Sequence, residues 1–202
     1  MAFFPFFIDI SGRNILIVGG GKVALRKAEK LLPFGADIAA VSPAFCEGFA
    51  ALDGVFLCCR KFADSDIDGA FAVIAATDDR ALNSHIYELC TRRNILVNTV
   101  DDPENCGFYF PALVQSGNVT CGISTGGASP IFARYIKGKA AGMLDEKTLA
   151  AGEILARYRP VIKRRFDTEE QRKSAAEKLL ERCTDSGELP EDNEIEKLLE
   201  SI

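Results

Sequence analysis

The chain has little from which to build a metal centre. It holds a single histidine, His85, and none of its seven cysteines stands in a Cys-x-x-Cys pair, so no metal site of the usual ligand spacing is expected. Adjacent Cys58 and Cys59 would point to opposite sides of a strand. Scattered and odd in number, the cysteines read as reduced, mostly buried thiols of a cytoplasmic protein. A membrane span is missing too. The apolar opening Met1-Ala-Phe-Phe-Pro-Phe-Phe-Ile8 has no basic residue before it, is broken by Pro5 and stops at Asp9. It fits neither a signal peptide nor a transmembrane helix, and reads as a buried edge segment. Internal repeats and low-complexity tracts are absent, which excludes solenoid architectures.

What is there suffices for one good core and a smaller second unit: 202 residues, 48% of them hydrophobic. The net charge of −5 conceals an asymmetry, because residues 1–129 carry −4, residues 130–173 carry +5 and residues 174–202 carry −6. A nucleic-acid-binding protein is more often basic throughout, so a small polyanionic ligand is the better match for this basic island. A solvated helix face of alternating charge would give the same count.

Asn14–Val18 is a short apolar run, followed by three glycines and a helical pattern through Ala24, Ala28 and Leu31. Pro33 and Gly35 end that helix, and Asp37–Val41 supplies the next strand, closed by Ser42-Pro43. Further strands are expected at 55–59, 71–75, 95–98 and 108–110, with a helix over 81–93. Strands alternating with helices predict an α/β Rossmann-type parallel sheet. Beyond Pro111, one more strand is expected at 119–124, and Ser129 and Pro130 form a cap and first position for a new helix. The rest is helical, with apolar faces at Ala151/Leu155/Tyr158/Ile162, at Ala175/Ala176/Leu179/Leu180/Cys183 and at Ile195/Leu198/Leu199/Ile202. The expected division is a Rossmann domain over 1–112, a dimerisation segment over 113–145 and a helical region over 146–202.

Gly19-x-Gly21-x-x-Ala24 is a dinucleotide fingerprint with alanine in its third position. Gly19 permits the turn, Gly21 lets the backbone approach a pyrophosphate, and Ala24 lets helix and strand pack closely. The anion would lie on the helix N-terminus, at Lys22 and Val23. No carboxylate stands where the second strand ends to hold the ribose 2′-hydroxyl; Ser42 is there instead, which loosens the choice between NAD and NADP. Thr77 and Asp78 lie at the carboxyl end of another strand, where such sheets bind ligands. Asp79 is either part of that site or a helix N-cap.

In order along the chain, Gly12-Arg13, Gly19-Gly-Gly-x-Val23-Ala24-x-Arg26-Lys27, Ala75-Ala-Thr-Asp-Asp79, Asn98-Thr-Val-Asp101-Asp-Pro103, Phe108-Tyr-Phe-Pro111 and Ser124-Thr-Gly-Gly-Ala-Ser-Pro130 resemble the precorrin-2 dehydrogenase family. This family comprises the amino-terminal module of siroheme synthases and its stand-alone relatives. With no methyltransferase domain following, the chain looks like the stand-alone form. The resemblance implies NAD-dependent oxidation of precorrin-2 to sirohydrochlorin on a homodimer, with ferrous iron insertion as an added activity in some members. It implies Asp101 as the catalytic carboxylate, and a carboxylate suits a reaction that releases a proton as well as a hydride. A turn-capping role for Asp101 is the alternative. Asn98, Ser124, Thr125, Arg134, Lys137 and Arg164 are candidates to bind the substrate. Lys139, Arg157, Arg159, Lys163 and Arg165 complete the basic set that could meet its carboxylates. Thr125 stands where the fused synthases have a second serine.

Two rivals make different predictions. Tyr135-x-x-x-Lys139 has the Tyr/Lys spacing of short-chain dehydrogenases, although the glycine turn has the wrong spacing for that class. A non-catalytic NAD-sensing module would bind cofactor without turnover.

Overall fold

In the computed structural model, which describes residues 4–185 and 187–202, the chain forms two compact units, 4–109 and 110–202. The first is a five-stranded parallel sheet in the order β3-β2-β1-β4-β5. Its strands are β1 (Asn14–Val18), β2 (Asp37–Ser42), β3 (Val55–Cys59), β4 (Ala72–Ala75) and β5 (Leu96–Thr99). Helix α1 (Lys22–Leu31) links β1 to β2, and α2 (Arg80–Arg92) links β4 to β5; the other crossovers are short 3₁₀ turns. Alternation divides the strands between two faces. Leu16, Val18, Val41, Val73, Ala75 and Val97 pack with Ile86, Leu89 and Cys90 of α2. The strand order reverses between β1 and β4, which is the switch point beside which open α/β sheets bind ligands.

In the second unit, β6 (Ala112–Ser116) and β7 (Val119–Ile123) form an antiparallel hairpin, followed by α3 (Pro130–Gly142), α4 (Glu146–Arg165), α5 (Glu169–Asp185) and α6 (Asp192–Glu200). Ser129 caps α3, accepting from Phe132 N, with Pro130 in the first turn, and Asp145 caps α4. The three predicted apolar faces meet in one core of Ala151, Tyr158, Ile162, Ala175, Leu179, Cys183, Ile195 and Leu199, although Leu180 and Ile202 are exposed. Among the described residues no helix is long and apolar enough to cross a membrane.

Two sequence expectations need correction. Residues 108–110 form no strand; a single bridge pairs Asn98 with Cys106, Gly107 N donates to Val97 O and Phe108 O accepts from Asn98, so side-chain and isolated contacts replace a ladder. The strand expected at 119–124 is present as β7, paired with β6. The opening segment is not buried: Met1–Phe3 lie outside the described residues, and Phe4, Phe6 and Phe7 are each 76% exposed, with no strand to pair their backbone.

Candidate functional site

The glycine turn has the shape that a dinucleotide requires. Gly19 has φ 128, and a Cβ on it would meet Ala76 O of the β4 turn at 2.2 Å, so only glycine fits. A Cβ on Gly20 would meet Ala44 O at 2.0 Å and Ser42 Oγ at 2.8 Å; sequence reasoning gave this middle glycine no task. Gly21 is different in kind, since nothing lies within 4 Å of its Cβ position. Space is kept there although the backbone, at φ −84, would accept any residue. Ala24 is fully buried, as close helix–sheet packing demands.

The N-terminus of α1 is also left open. Gly21 offers no side-chain cap and the first turn holds no acidic residue, so its N–H groups and the positive end of the dipole are available to an anion. By contrast α2 is closed by Asp79, whose carboxylate accepts from Ala81 N and Leu82 N at 2.9 and 3.1 Å. This is the helix-cap alternative. Lys22 and Val23 are exposed in the first turn of α1, and Asp78 is exposed beside Asp79. Thr77 is tied into its turn, donating to Asn83 Oδ1 at 2.7 Å. Ser42 Oγ donates to Ala44 O at 2.7 Å, which leaves its lone pairs for a ribose hydroxyl. The residues present therefore fit a dinucleotide, and they are gathered at the carboxyl ends of β1, β2 and β4.

The residue expected to act as the catalytic carboxylate lies just past the end of β5. Asp101 is exposed and has φ 58, a left-handed conformation that aspartate tolerates better than most residues. It does not cap the following turn. Asp102 is the residue that opens that turn, its carbonyl accepting from Asn105 N at 3.2 Å and its carboxylate from the side-chain Nδ2 of Asn105 at 2.7 Å, with no backbone N–H capped by a side chain. The Asp101 carboxylate makes no hydrogen bond among the described residues. Asn98 is buried, donating through Nδ2 to Phe108 O at 3.0 Å and accepting from Lys27 Nζ at 3.3 Å. Cys106 fastens the loop: its thiol donates to Thr99 O and accepts from Thr99 N, and burial is the main cause that pushes its pKa up. Thr99 Oγ1 is buried with no partner among the described residues. Lys27 and Cys106 escaped sequence reasoning, which used Lys27 only as part of a motif. Gly12-Arg13 is architectural instead, with Gly12 N donating to Gly35 O and the Arg13 guanidinium lying over Phe71.

The other expected substrate residues lie in the second unit. Ser124 Oγ accepts from Gly126 N, and Thr125 Oγ1 accepts from Ser129 N while donating to Ser129 O, so both shape the glycine turn before α3. Arg134, Lys137 and Arg164 are exposed, with no ion pair among the described residues. Three members of the basic island are already matched: Arg157 pairs with Asp192 at 2.7 Å, Arg165 with Glu196 at 3.4 Å and Glu200 at 3.9 Å, and Lys173 with Glu177 at 3.8 Å. The acidic last helix thus neutralises part of the basic charge. Tyr135 and Lys139 stand in this unit, not with the glycine turn, and Lys139 Nζ lies 5.3 Å from the tyrosine ring centroid, a cation–π contact on exposed α3. His85 faces Asp64 across 2.8 Å, and no group of three or more metal-ligating side chains occurs among the described residues.

Comparison with known proteins agrees with this geometry. The chain is 41% identical over 90% of its length to a siroheme synthase of Thioalkalivibrio sulfidiphilus and 37% identical over 86% to one of Photorhabdus laumondii, and it spans 38% of each of those proteins. A solved structure described as "SirC, precorrin-2 dehydrogenase" has the same fold, with a TM-score of 0.78 at 24% identity, covering 99% of this chain and 100% of that one. Residues 6–112 match a family model described as "Putative NAD(P)-binding". With more than half of its residues in that match and siroheme synthases among its relatives, the chain belongs to this NAD(P)-binding family, in line with the resemblance read from its motifs.

Proposed function

We propose that the chain is an NAD-dependent precorrin-2 dehydrogenase that oxidises precorrin-2 to sirohydrochlorin in siroheme synthesis. The observation that carries this reading is the juxtaposition within one unit of an open, uncapped glycine turn and an exposed carboxylate, Asp101, at the end of a nearby strand. Similarity to the siroheme synthases and the fold shared with SirC support the choice of substrate. The backbone at Gly19 and Gly21 and the N–H groups of Lys22 and Val23 would hold the pyrophosphate, Ser42 the ribose, and Thr77 and Asp78 would line the β4 edge. NAD, when bound, supplies the acceptor for the substrate's hydride. Asp101 takes the accompanying proton, and its lack of a hydrogen-bond partner leaves it able to do so. Arg134, Lys137 and Arg164 meet the substrate through its carboxylates, Ser124 and Thr125 shape the turn before α3, and Asn98, with both ends of its amide occupied, positions the loop without touching the substrate.

The assembly in this reading is a cytoplasmic homodimer. Its support is an uncovered apolar face on α3, where Ile131 is 76%, Phe132 54% and Tyr135 56% exposed, and seven cysteines, all free thiols. The test is anaerobic turnover: protein, NAD and precorrin-2 yield NADH and the sirohydrochlorin spectrum in equal amounts. Asp101→Asn lowers kcat by about 10²–10⁴-fold with NADH affinity unchanged. Cofactor binding without turnover by the parent chain would make it a sensing module instead.

A further inference from the structure

Strand β5 places a polar side chain where alternation calls for an apolar one. Asn98 continues a cross-strand row through Ala40, Ile17 and Ile74, three fully buried residues, and is itself 5% exposed. A buried amide needs both ends occupied. Here Nδ2 is bound to Phe108 O, and Oδ1 is met by an amine from another element, Lys27 of α1. Lys27 flanks the buried stripe of Ala24 and Ala28, on the helix whose first turn is left open for an anion. One lysine thereby connects the cofactor helix to the segment that carries Asp101.

The surroundings of Lys27 are charged on two sides. Burial, followed by Lys30 on its own helix, draws its pKa down to about 8, while Cys106 and Asp101 pull the other way. Burial raises the Cys106 pKa, so at neutral pH that group is a thiol and Asp101 is the anion acting on Lys27. A carboxylate that must accept a proton from a polyanionic substrate also repels it, and a cation in its field offsets that repulsion.

We propose that Lys27 is a positioning residue of this site: as an ammonium it holds Asn98 by a charge-assisted hydrogen bond and offsets the charge of Asp101 toward an anionic substrate, and on losing its proton it keeps only a weaker neutral donor to Asn98 and no longer offsets that charge. The identity of that substrate rests on the dehydrogenase reading; the coupling of Lys27 to Asp101 does not. Rising pH therefore removes the cation, and KM for precorrin-2 climbs about tenfold between pH 7 and 9 in the parent, for a single proton lost near pH 8. Lys27→Arg keeps a low KM across this range, since guanidinium stays charged. Lys27→Met has the high KM at every pH, with kcat less affected and NADH titration unchanged. A Lys27→Met enzyme that retains the parent's pH dependence of KM would overturn the proposal.

A second measurement is independent of turnover. With ε-¹³C-labelled lysine, and Lys27→Arg to identify the resonance, Lys27 titrates near 8 and moves lower in Asp101→Asn. If Lys27 titrates with the other lysines, or ignores Asp101→Asn, the proposal is refuted whatever the activity. If the parent fails to oxidise precorrin-2 yet Lys27 titrates near 8 and responds to Asp101→Asn, the substrate reading fails and the coupling stands.

Discussion

Two alanine substitutions, two positions apart in the same turn, separate what the fold needs from what the ligand needs. In Gly19→Ala the new side chain sits at φ 128 and 2.2 Å from a backbone oxygen, Ala76 O. A non-glycine residue in such a conformation costs about 1–3 kcal/mol, and forcing apart two packed backbone segments costs about 1–3 more. A loss of about 3 kcal/mol lowers Tm by roughly 6–12 °C in a chain of this length. Gly21→Ala meets nothing within 4 Å and has an ordinary φ of −84. Its reduced unfolded-state freedom stabilises by about 0.4–1 kcal/mol, and a similar cost of alanine at an N-cap offsets it, so Tm stays within about 2 °C. Its methyl group nevertheless fills the space kept for the pyrophosphate, and NADH affinity falls at least tenfold, about 1.4 kcal/mol. Thermal unfolding and NADH fluorescence titration of both variants decide the matter. If Gly21→Ala melts as early as Gly19→Ala, or binds NADH like the parent, the turn is structural and the cofactor assignment is wrong.

Other outcomes follow from the same geometry. Asp79→Ala removes an acceptor from two N–H groups of α2 and costs about 1 kcal/mol in urea unfolding, with cofactor affinity retained. Arg164→Ala weakens precorrin-2 binding and flattens its salt dependence, whereas Arg165→Ala, whose partners are Glu196 and Glu200, leaves binding alone and costs less than about 1 kcal/mol of stability; equal effects on binding would refute the division. Phe132→Glu on the exposed face of α3 turns a dimer into a monomer by sedimentation, and a parent that already sediments as a monomer contradicts the assembly proposed.

Local signals carried most of the Rossmann unit. β1, the glycine turn and α1 are contiguous, and each position's task follows from backbone geometry, so strand, turn and helix were legible with nothing else known. The failures are all cases in which a distant partner decides. The aromatic residues 108–110 have strand propensity, but the amide of Asn98 and the carbonyl of Val97 claim the backbone there. Gly117-Asn118 is a short hairpin turn, and the run before it, Ala112-Leu-Val-Gln-Ser116, has too little alternation to announce a strand. The opening phenylalanines have core composition, yet composition does not say which surface covers them. In the same way, a charge count could not divide Arg165 from Arg164, because the ion pairs of Arg165 reach residues about thirty positions away. Lys27 was overlooked since a lysine beside a buried stripe is ordinarily a solvated flank; its meaning depends on Asn98, 71 positions later.

The left-handed backbone at Asp101 also bears on how this position can change with time. Two filters act on it: the backbone at φ 58 admits aspartate, asparagine and glycine most readily, while the proposed proton transfer admits the carboxylate alone. A lineage that keeps the fold but abandons the reaction is therefore expected to drift here first to asparagine or glycine, and not to valine or isoleucine. Position 101 would then record the loss of chemistry separately from the loss of structure, and a relative with asparagine there and Gly19 and Gly21 intact would be a folded cofactor-binding protein that no longer turns over.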